Sequence, residues 1–281
     1  STAKGPGLPT IATPNPYRCE FFYLVAMKHY EQQLISLLNQ CKNDRTSSAP
    51  LSFISEIFPS VGGQIIPPKG YLAMIYDHIR NQGGLVIDDE VQTGLGRLGH
   101  HMFGFEQQNV VPDIVVLGKP LGNGYPLAAV ITRQDIIDRF DQGMEFFSTF
   151  GGSTAALAAG LATLAALKND NLQTNARNVG DDLLNALNDL SESHDIIGQV
   201  RGMGLFIGVD LVKNQHSKEP HTKAAQFIKN HLKQARILIG TDGQFDNVLK
   251  IRPPLTITKE DCDLMIKTIE QALTKYAILA P

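Results

Sequence analysis

Lys119 stands at the end of an apolar run, in IVVLGKPLGNGYP, between Gly118 and Pro120. A lysine there, with no charged neighbour in sequence, is placed to lose proton affinity by partial desolvation. An amine needs that to form an imine with a carbonyl near neutral pH. Pro120 disfavours the helical region for Lys119, and the glycines at 118, 122 and 124 let backbone come close to a ligand. The competing reading is a solvated surface charge. Upstream, a second apolar run, LVIDDEVQTG, ends in Asp88, Asp89 and Glu90. A metal site would want further ligands at defined spacing, and the isolated pair His100 and His101 does not supply them, so no metal is expected. The acids then read either as a polar strand end or as the source of one carboxylate facing a pyridine-type nitrogen. Such a carboxylate keeps the ring protonated, so that it can accept electrons from a substrate carbanion.

Other polar groups share this pattern. Glu56 lies near the end of the apolar run LSFISEI. Ser148 and Thr149 stand in FFSTFGG, before a glycine pair and a helical stretch. Hydroxyls near a helix start bind phosphate or act as simple caps. Lys250 and Arg252 in KIRPPL are alternate residues of an extended segment and share a face. They read as a solvated strand face or as a clamp for a carboxylate or phosphate. GLGRLG (94–99) matches the dinucleotide pattern, but it neither follows its strand at once nor opens a clear helix. The Gly118–Lys119 pair is no P-loop, because Pro120 replaces the required hydroxyl residue.

The elements that must hold these groups follow from periodicity. YEQQLISLLNQCK sets Leu34, Leu37, Leu38 and Cys41 on one helical face, and YLAMIYDHIRNQGG does the same for Leu72, Ile75, Tyr76 and Ile79. The short apolar runs 51–57, 85–88, 112–118 and 126–132 read as strands. Alternating with helices, they imply a parallel sheet covered on both faces. Ligands collect at the carboxyl ends of such strands, where Glu56, Asp89 and Lys119 fall. Residues 1–18 and 43–50 read as loop. Composition changes near residue 150, where a long Ala/Leu helix begins. Another helix is expected over 172–190, then two strand segments around a glycine-rich turn, a helix in HTKAAQFIKNHLKQA, extended ILIG and NVLKIRPPL, and a last helix opened by a Thr258/Asp261 capping box. The fold class is α/β, with residues 1–150 belonging to a parallel-sheet domain and 151–281 forming a smaller C-terminal α/β domain.

The 281 residues carry 25 basic and 28 acidic side chains without a long run of either sign. That balance points away from nucleic acid and anionic membranes. No apolar stretch reaches the roughly 20 residues of a membrane span. Three widely spaced cysteines make neither a disulfide framework nor a metal motif, which favours a reducing compartment, the cytoplasm.

Taken together, DDEVQTGLGRLG, VPDIVVLGKPLGNGYPLAAV, FFSTFGG and KIRPPLTIT resemble the class III (ornithine/GABA-type) aminotransferases of pyridoxal-phosphate fold type I, from about residue 15 onward. The resemblance implies pyridoxal 5'-phosphate as cofactor and Lys119 as its Schiff-base lysine. It selects Asp89, the first acid of DEVQ, as ring-nitrogen partner and sets Gln92 beside the ring hydroxyl. Ser148 and Thr149 would bind the cofactor phosphate of a neighbouring subunit, implying a homodimer with shared sites. Glu56 falls where the family has a glutamate near the substrate. GGQIIPPKGY, GKPLGNGYP and VLKIRPPL are most similar to the branch of alanine–glyoxylate transaminases and phospho-lyases acting on phosphoethanolamine. Where many family transaminases carry a carboxylate-binding arginine, three places before the proline pair, this chain has Lys250, and an arginine at 252 instead. The expected function is amino transfer between an amino donor and a 2-oxo acid; the alternatives are a phospho-lyase on a phosphorylated amine or a catalytically incomplete fragment. Family members are longer, and the resemblance puts their phosphate-gripping loop and ring-stacking aromatic amino-terminal to this chain.

Overall fold

In the computed structural model residues 9–19, 23–43 and 52–279 are described. The start expected to be irregular up to residue 8, the loop from residue 44 to 50 and the side chain of Cys41 lie outside them. Helix α1 (Tyr23–Asn43) buries Ala26, Tyr30, Leu34 and Leu38 on one stripe. That stripe packs with helix α2 (Tyr71–Arg80), and the Tyr30 ring meets the Tyr71 ring edge-on at 5.4 Å. Strands β1 (Ser52–Glu56), β2 (Leu85–Asp89) and β3 (Ile114–Leu117) run parallel, in chain order.

Strand β4 (Ala129–Thr132) pairs with β3 in the antiparallel sense. The sequence pattern led us to expect a wholly parallel sheet. Only a short 3-10 turn (Lys119–Gly122) and a loop separate β3 from β4. A parallel return needs a crossover of a dozen or more residues, usually a helix. A short helix α3 (Gln134–Asp141) follows, and the sequence reading missed it.

The Ala/Leu helix α4 (Thr154–Asn169) was expected to open the second domain, but it packs on the first sheet. Leu167 joins Leu95, Val115, Leu117 and Leu121 in one cluster. Gly160 lies so close to Leu127 that a Cβ there would stand 2.5 Å from Leu127 Cδ2. Helix α5 (Leu172–Ser193) and everything after it build the second unit: β5 (Ile197–Met203), β6 (Phe206–Leu211), helix α6 (Thr222–Gln234), β7 (Gly240–Asp242), β8 (Val248–Ile251) and helix α7 (Lys259–Leu279). Its sheet is antiparallel in the order β5-β6-β8-β7. Leu183, Leu187, Val209, Ile228, Ile251 and Ile269 sit at its core. Thr258 and Asp261 form the expected reciprocal cap of α7. No helix of the described residues is long and apolar enough to cross a membrane.

The two units are joined tightly. Phe206 and Leu98, both fully buried, belong to the same cluster as Phe58 and Tyr76. GLGRLG is part of this joint. A Cβ on Gly99 would lie 2.5 Å from Arg177 backbone, and one on Gly204 would lie 2.5 Å from Leu98 backbone. Arg97 donates to the carbonyls of Leu205 and Pro253. These glycines serve contact between chain segments, where a side chain would force the segments apart.

Candidate functional site at the strand ends

Register sets the first geometry. Glu56 is the direct partner of Asp89 across β1 and β2, and Asp89 is the partner of Val116 on β3. One residue past Leu117, at Gly118, the strand gives way to the turn that begins at Lys119. Three parallel strands therefore deliver Glu56, Asp89 and Lys119 to one end of the sheet. The charges of Asp89, Lys119 and Lys250 all act on Glu56. Its carboxyl is pushed above the usual carboxylate range, chiefly by burial, with the Ser60 amide opposing.

The three consecutive acids separate because side chains alternate across a strand. Asp88 is fully buried beneath α2 and accepts from the Tyr76 hydroxyl; its other oxygen has no partner. Burial lifts its pKa to about 7. Glu90, also fully buried, accepts from the Thr93 hydroxyl and the Phe105 amide and so ties down the following loop. Asp89 is only partly buried. One oxygen accepts from the Val91 amide at 2.9 Å, and the other accepts nothing among the described residues.

Lys119 is exposed and adopts φ 25°, in the left-handed region that lysine rarely visits. The expected partial desolvation of its amine is therefore not supplied by the residues described here. The turn is held by the Leu121 amide on the Gly118 carbonyl and by α4 packed against it.

The second unit contributes from β8. Lys250 Nζ pairs with Asp242 at 2.7 Å, and Asp242 also accepts from Gln64 Nε2 at 2.9 Å. Sequence reasoning missed both partners. Arg252, two residues on, donates through one arm to Gln92 Oε1 and through the other to the Gln92 carbonyl at 2.6 Å. Its guanidinium lies 5.3 Å from the centre of the Phe206 ring, and Nε is buried without a partner among the described residues. Desolvation lowers its pKa, while the charges of Asp242 and Glu56 oppose that shift. Gln92, Glu56, Lys250 and Arg252 thus converge with Asp89 and Lys119.

Ser148 and Thr149 do not join this cluster. They lie on an exposed stretch, six and five residues before α4 begins, where Ser148 Oγ accepts from the Gly151 amide. They are therefore not its caps. The described residues contain no group of three or more side chains suited to a metal ion.

The donor set suits pyridoxal 5'-phosphate. Asp89 has an oxygen to spare, Gln92 Nε2 donates to nothing among the described residues, and the Lys119 amine enters no ion pair there. These are an acceptor, a donor and a nucleophile at one strand end, where such sheets bind ligands.

Comparison with known proteins supports this reading. The sequence model of the family "Aminotransferase class-III" matches residues 6–273. A Drosophila melanogaster protein named alanine–glyoxylate aminotransferase 2-like is 42% identical over 225 residues, covering 79% of this chain and 46% of the relative. The Caenorhabditis elegans ethanolamine-phosphate phospho-lyase homolog 1 is 39% identical over 252 residues, covering 89% of this chain and 54% of the relative. Among solved structures, an Arthrobacter phospholyase in complex with phosphoethanolamine superposes with a TM-score of 0.91 at 31% identity, over 96% of this chain and 64% of that one. The chain spans about half the length of the curated relatives it matches.

Proposed function

Because this chain belongs to the class III aminotransferase family, whose cofactor is pyridoxal 5'-phosphate, we propose that it carries the lysine side of an amino-transferring active site, centred on Lys119. One observation carries the proposal. Glu56, Asp89 and Lys119 end three adjacent parallel strands, while Asp88 and Glu90 are consumed by Tyr76, Thr93 and Phe105.

Bound there, the cofactor supplies an electron sink for the pair left when a substrate C–H bond breaks. Lys119 Nζ would hold the cofactor and, as a free amine, would be the base that moves a proton at the substrate carbon. The spare oxygen of Asp89 keeps the ring nitrogen protonated. Gln92 Nε2 donates to the ring oxygen. Glu56, Lys250 and Arg252 face the substrate. Ser148 and Thr149, exposed on their own chain, reach the cofactor phosphate of a second copy, so the working unit is a homodimer in which the copies complete each other's sites. The domain boundary belongs after α4, near Asp170. The segment 9–19 bridges the units: Ile11 and Cys19 pack on the cluster of α1 and α2, and Arg18 is tied to Asp210 and the Lys218 carbonyl. Cys19 and Cys262 are free, in keeping with a reducing compartment such as the cytoplasm.

A second reading, elimination of phosphate from a phosphorylated amine, is favoured by the cations of β8. Asp242 compensates Lys250, whereas Arg252 bonds to no carboxylate among the described residues. That leaves a positive charge for an anionic group on the substrate.

The test is to add pyridoxal 5'-phosphate to this chain, reduce with borohydride and map the modified peptide. Absorbance near the visible edge and trapping at Lys119, both lost in Lys119→Ala, are expected. Trapping spread over other lysines, unchanged in that variant, would sink the proposal. Phosphate release from phosphoethanolamine without an amino acceptor separates the lyase from the transaminase.

A further inference from the structure

Arg252 meets Gln92 twice, at the side-chain oxygen and at the main-chain carbonyl. A guanidinium only donates. The hydrogen-bond network therefore assigns Oε1 to the side of Gln92 that faces Arg252, which leaves the amide NH2 on the other side. An unpartnered glutamine could present either end of its amide to a ligand, since the network alone decides its orientation. Here Arg252 decides it.

Arg252 is itself held in three ways. Pro253 restricts its backbone to extended conformations, in line with β8 immediately before it. The fully buried Phe206 ring lies under the guanidinium at 5.3 Å. Arg97 anchors the backbone next to Arg252 by donating to the carbonyls of Pro253 and Leu205. A lysine could not replace this arrangement, because a single ammonium cannot span two oxygens with the same planar fork.

We infer that Arg252 is a positioning residue. By gripping both oxygens of Gln92 it turns the Gln92 NH2 toward the cofactor's ring oxygen and denies it the flipped, accepting orientation. This rests on the cofactor reading above and gives Arg252, assigned there to the substrate, a second task that acts through Gln92. The consequence spans the two units: the fixing group comes from the end of β8, one residue past the strand, and the fixed group from the loop after β2, 160 positions apart in sequence.

The experiment uses this chain and the variants Arg252→Lys, Gln92→Ala and Gln92→Glu, each checked for native circular dichroism. The side-chain NH2 signals of Gln92 are identified in amide NMR spectra by their loss in Gln92→Ala. In Arg252→Lys they are expected to collapse toward the positions of exposed glutamines, with or without cofactor. With pyridoxal 5'-phosphate bound, the pH titration of the visible band is expected to shift in Arg252→Lys in the same direction as in Gln92→Ala. The double variant should shift no further than Gln92→Ala alone, since both changes act through one group. Gln92→Glu keeps an acceptor for Arg252 but removes the NH2, so it should retain the wild-type melting temperature and still show the shifted band. A visible band whose titration moves in Gln92→Ala but not in Arg252→Lys overturns the inference, as do unchanged Gln92 signals in Arg252→Lys. Failure of the wild-type chain to form the band at all is a different result: it refutes the cofactor reading, and with it any role of Arg252 toward the ring.

Discussion

Glu56 and Asp89 are directly opposed residues of neighbouring parallel strands, so two carboxylates share one face of one strand end. Burial raises the Glu56 pKa most, and the charge of Asp89 adds to it. Asp89→Asn removes that contribution, so the Glu56 carboxyl should titrate at lower pH in this variant. Carbon-13 NMR of labelled glutamate measures it. A Glu56 titration that stays where it was, or moves up, would show that the two acids are not coupled.

Asp88 predicts a pH-dependent stability. Its folded pKa, about 7, lies above the unfolded value of 3.8. The folded state therefore keeps a proton that the unfolded chain has lost between those values. This contribution is complete below pH 3.8 and disappears as pH rises toward 7, a span worth on the order of 4 kcal/mol. Asp88→Asn retains an acceptor for the Tyr76 hydroxyl and cannot ionise. It should melt at higher temperature than the wild type at pH 8, and the difference should shrink toward pH 5. Equal melting curves at pH 8 would refute it.

Asp210, fully buried, accepts from Arg18 at 2.6 Å, from Arg201 at 3.1 Å and from Asn247 at 2.7 Å. Removing its charge leaves the buried Arg201 guanidinium without a counter-ion. Breaking a buried pair in this way costs roughly 3–5 kcal/mol. Asp210→Asn should lower the melting temperature by about 10 °C. Arg18→Met should cost less, because Arg18 keeps a quarter of its side-chain surface in water. Calorimetry orders the two, and a larger loss for Arg18→Met would contradict this account.

Two helical glycines should respond differently to alanine. A Cβ on Gly180 would stand 2.3 Å from the Gly204 backbone, which cannot move without separating α5 from the turn between β5 and β6. Gly180→Ala should destabilise by about 3 kcal/mol or more. On Gly160 the nearest atom is the end of the Leu127 side chain, which can rotate. There the helix-propensity gain of about 1 kcal/mol offsets the contact, and Gly160→Ala should stay within about 1 kcal/mol of the wild type. Urea unfolding of both variants makes the comparison.

The strand ends were legible because apolar runs broken by glycine announce buried strands, and a carboxylate or lysine just past such a run has few other places to go. The distinct fates of Asp88, Asp89 and Glu90 were also available from the two-residue alternation of strands, although only the family resemblance singled out Asp89. The packing side of α4 was not legible. Its Ala-rich sequence has no dominant apolar face, and only the buried Ala156, Gly160 and Leu167 show where it rests. The antiparallel return of β4 was legible and missed: only seven residues separate the runs 112–118 and 126–132, too few for a parallel crossover. Lys250 and Arg252 read as an anion clamp because their partners Asp242 and Gln92 are remote or polar and neutral. The Arg201–Asp210 pair left a signal that went unread: single charges inside the apolar runs IGQVRGM and FIGVDL, which a core tolerates only when paired.

The order of the first sheet repeats the order of the chain, β1 to β4. Each pairing there closes a loop of a few tens of residues at most, an inexpensive closure. The grip of Arg252 on Gln92 instead joins positions 160 residues apart. A closure of that range costs more chain entropy than the sheet pairings do. Glu56, Asp89 and Lys119 can therefore be assembled while Gln92 is still free to turn, and the site acquires its selectivity for one orientation only when the last strand docks.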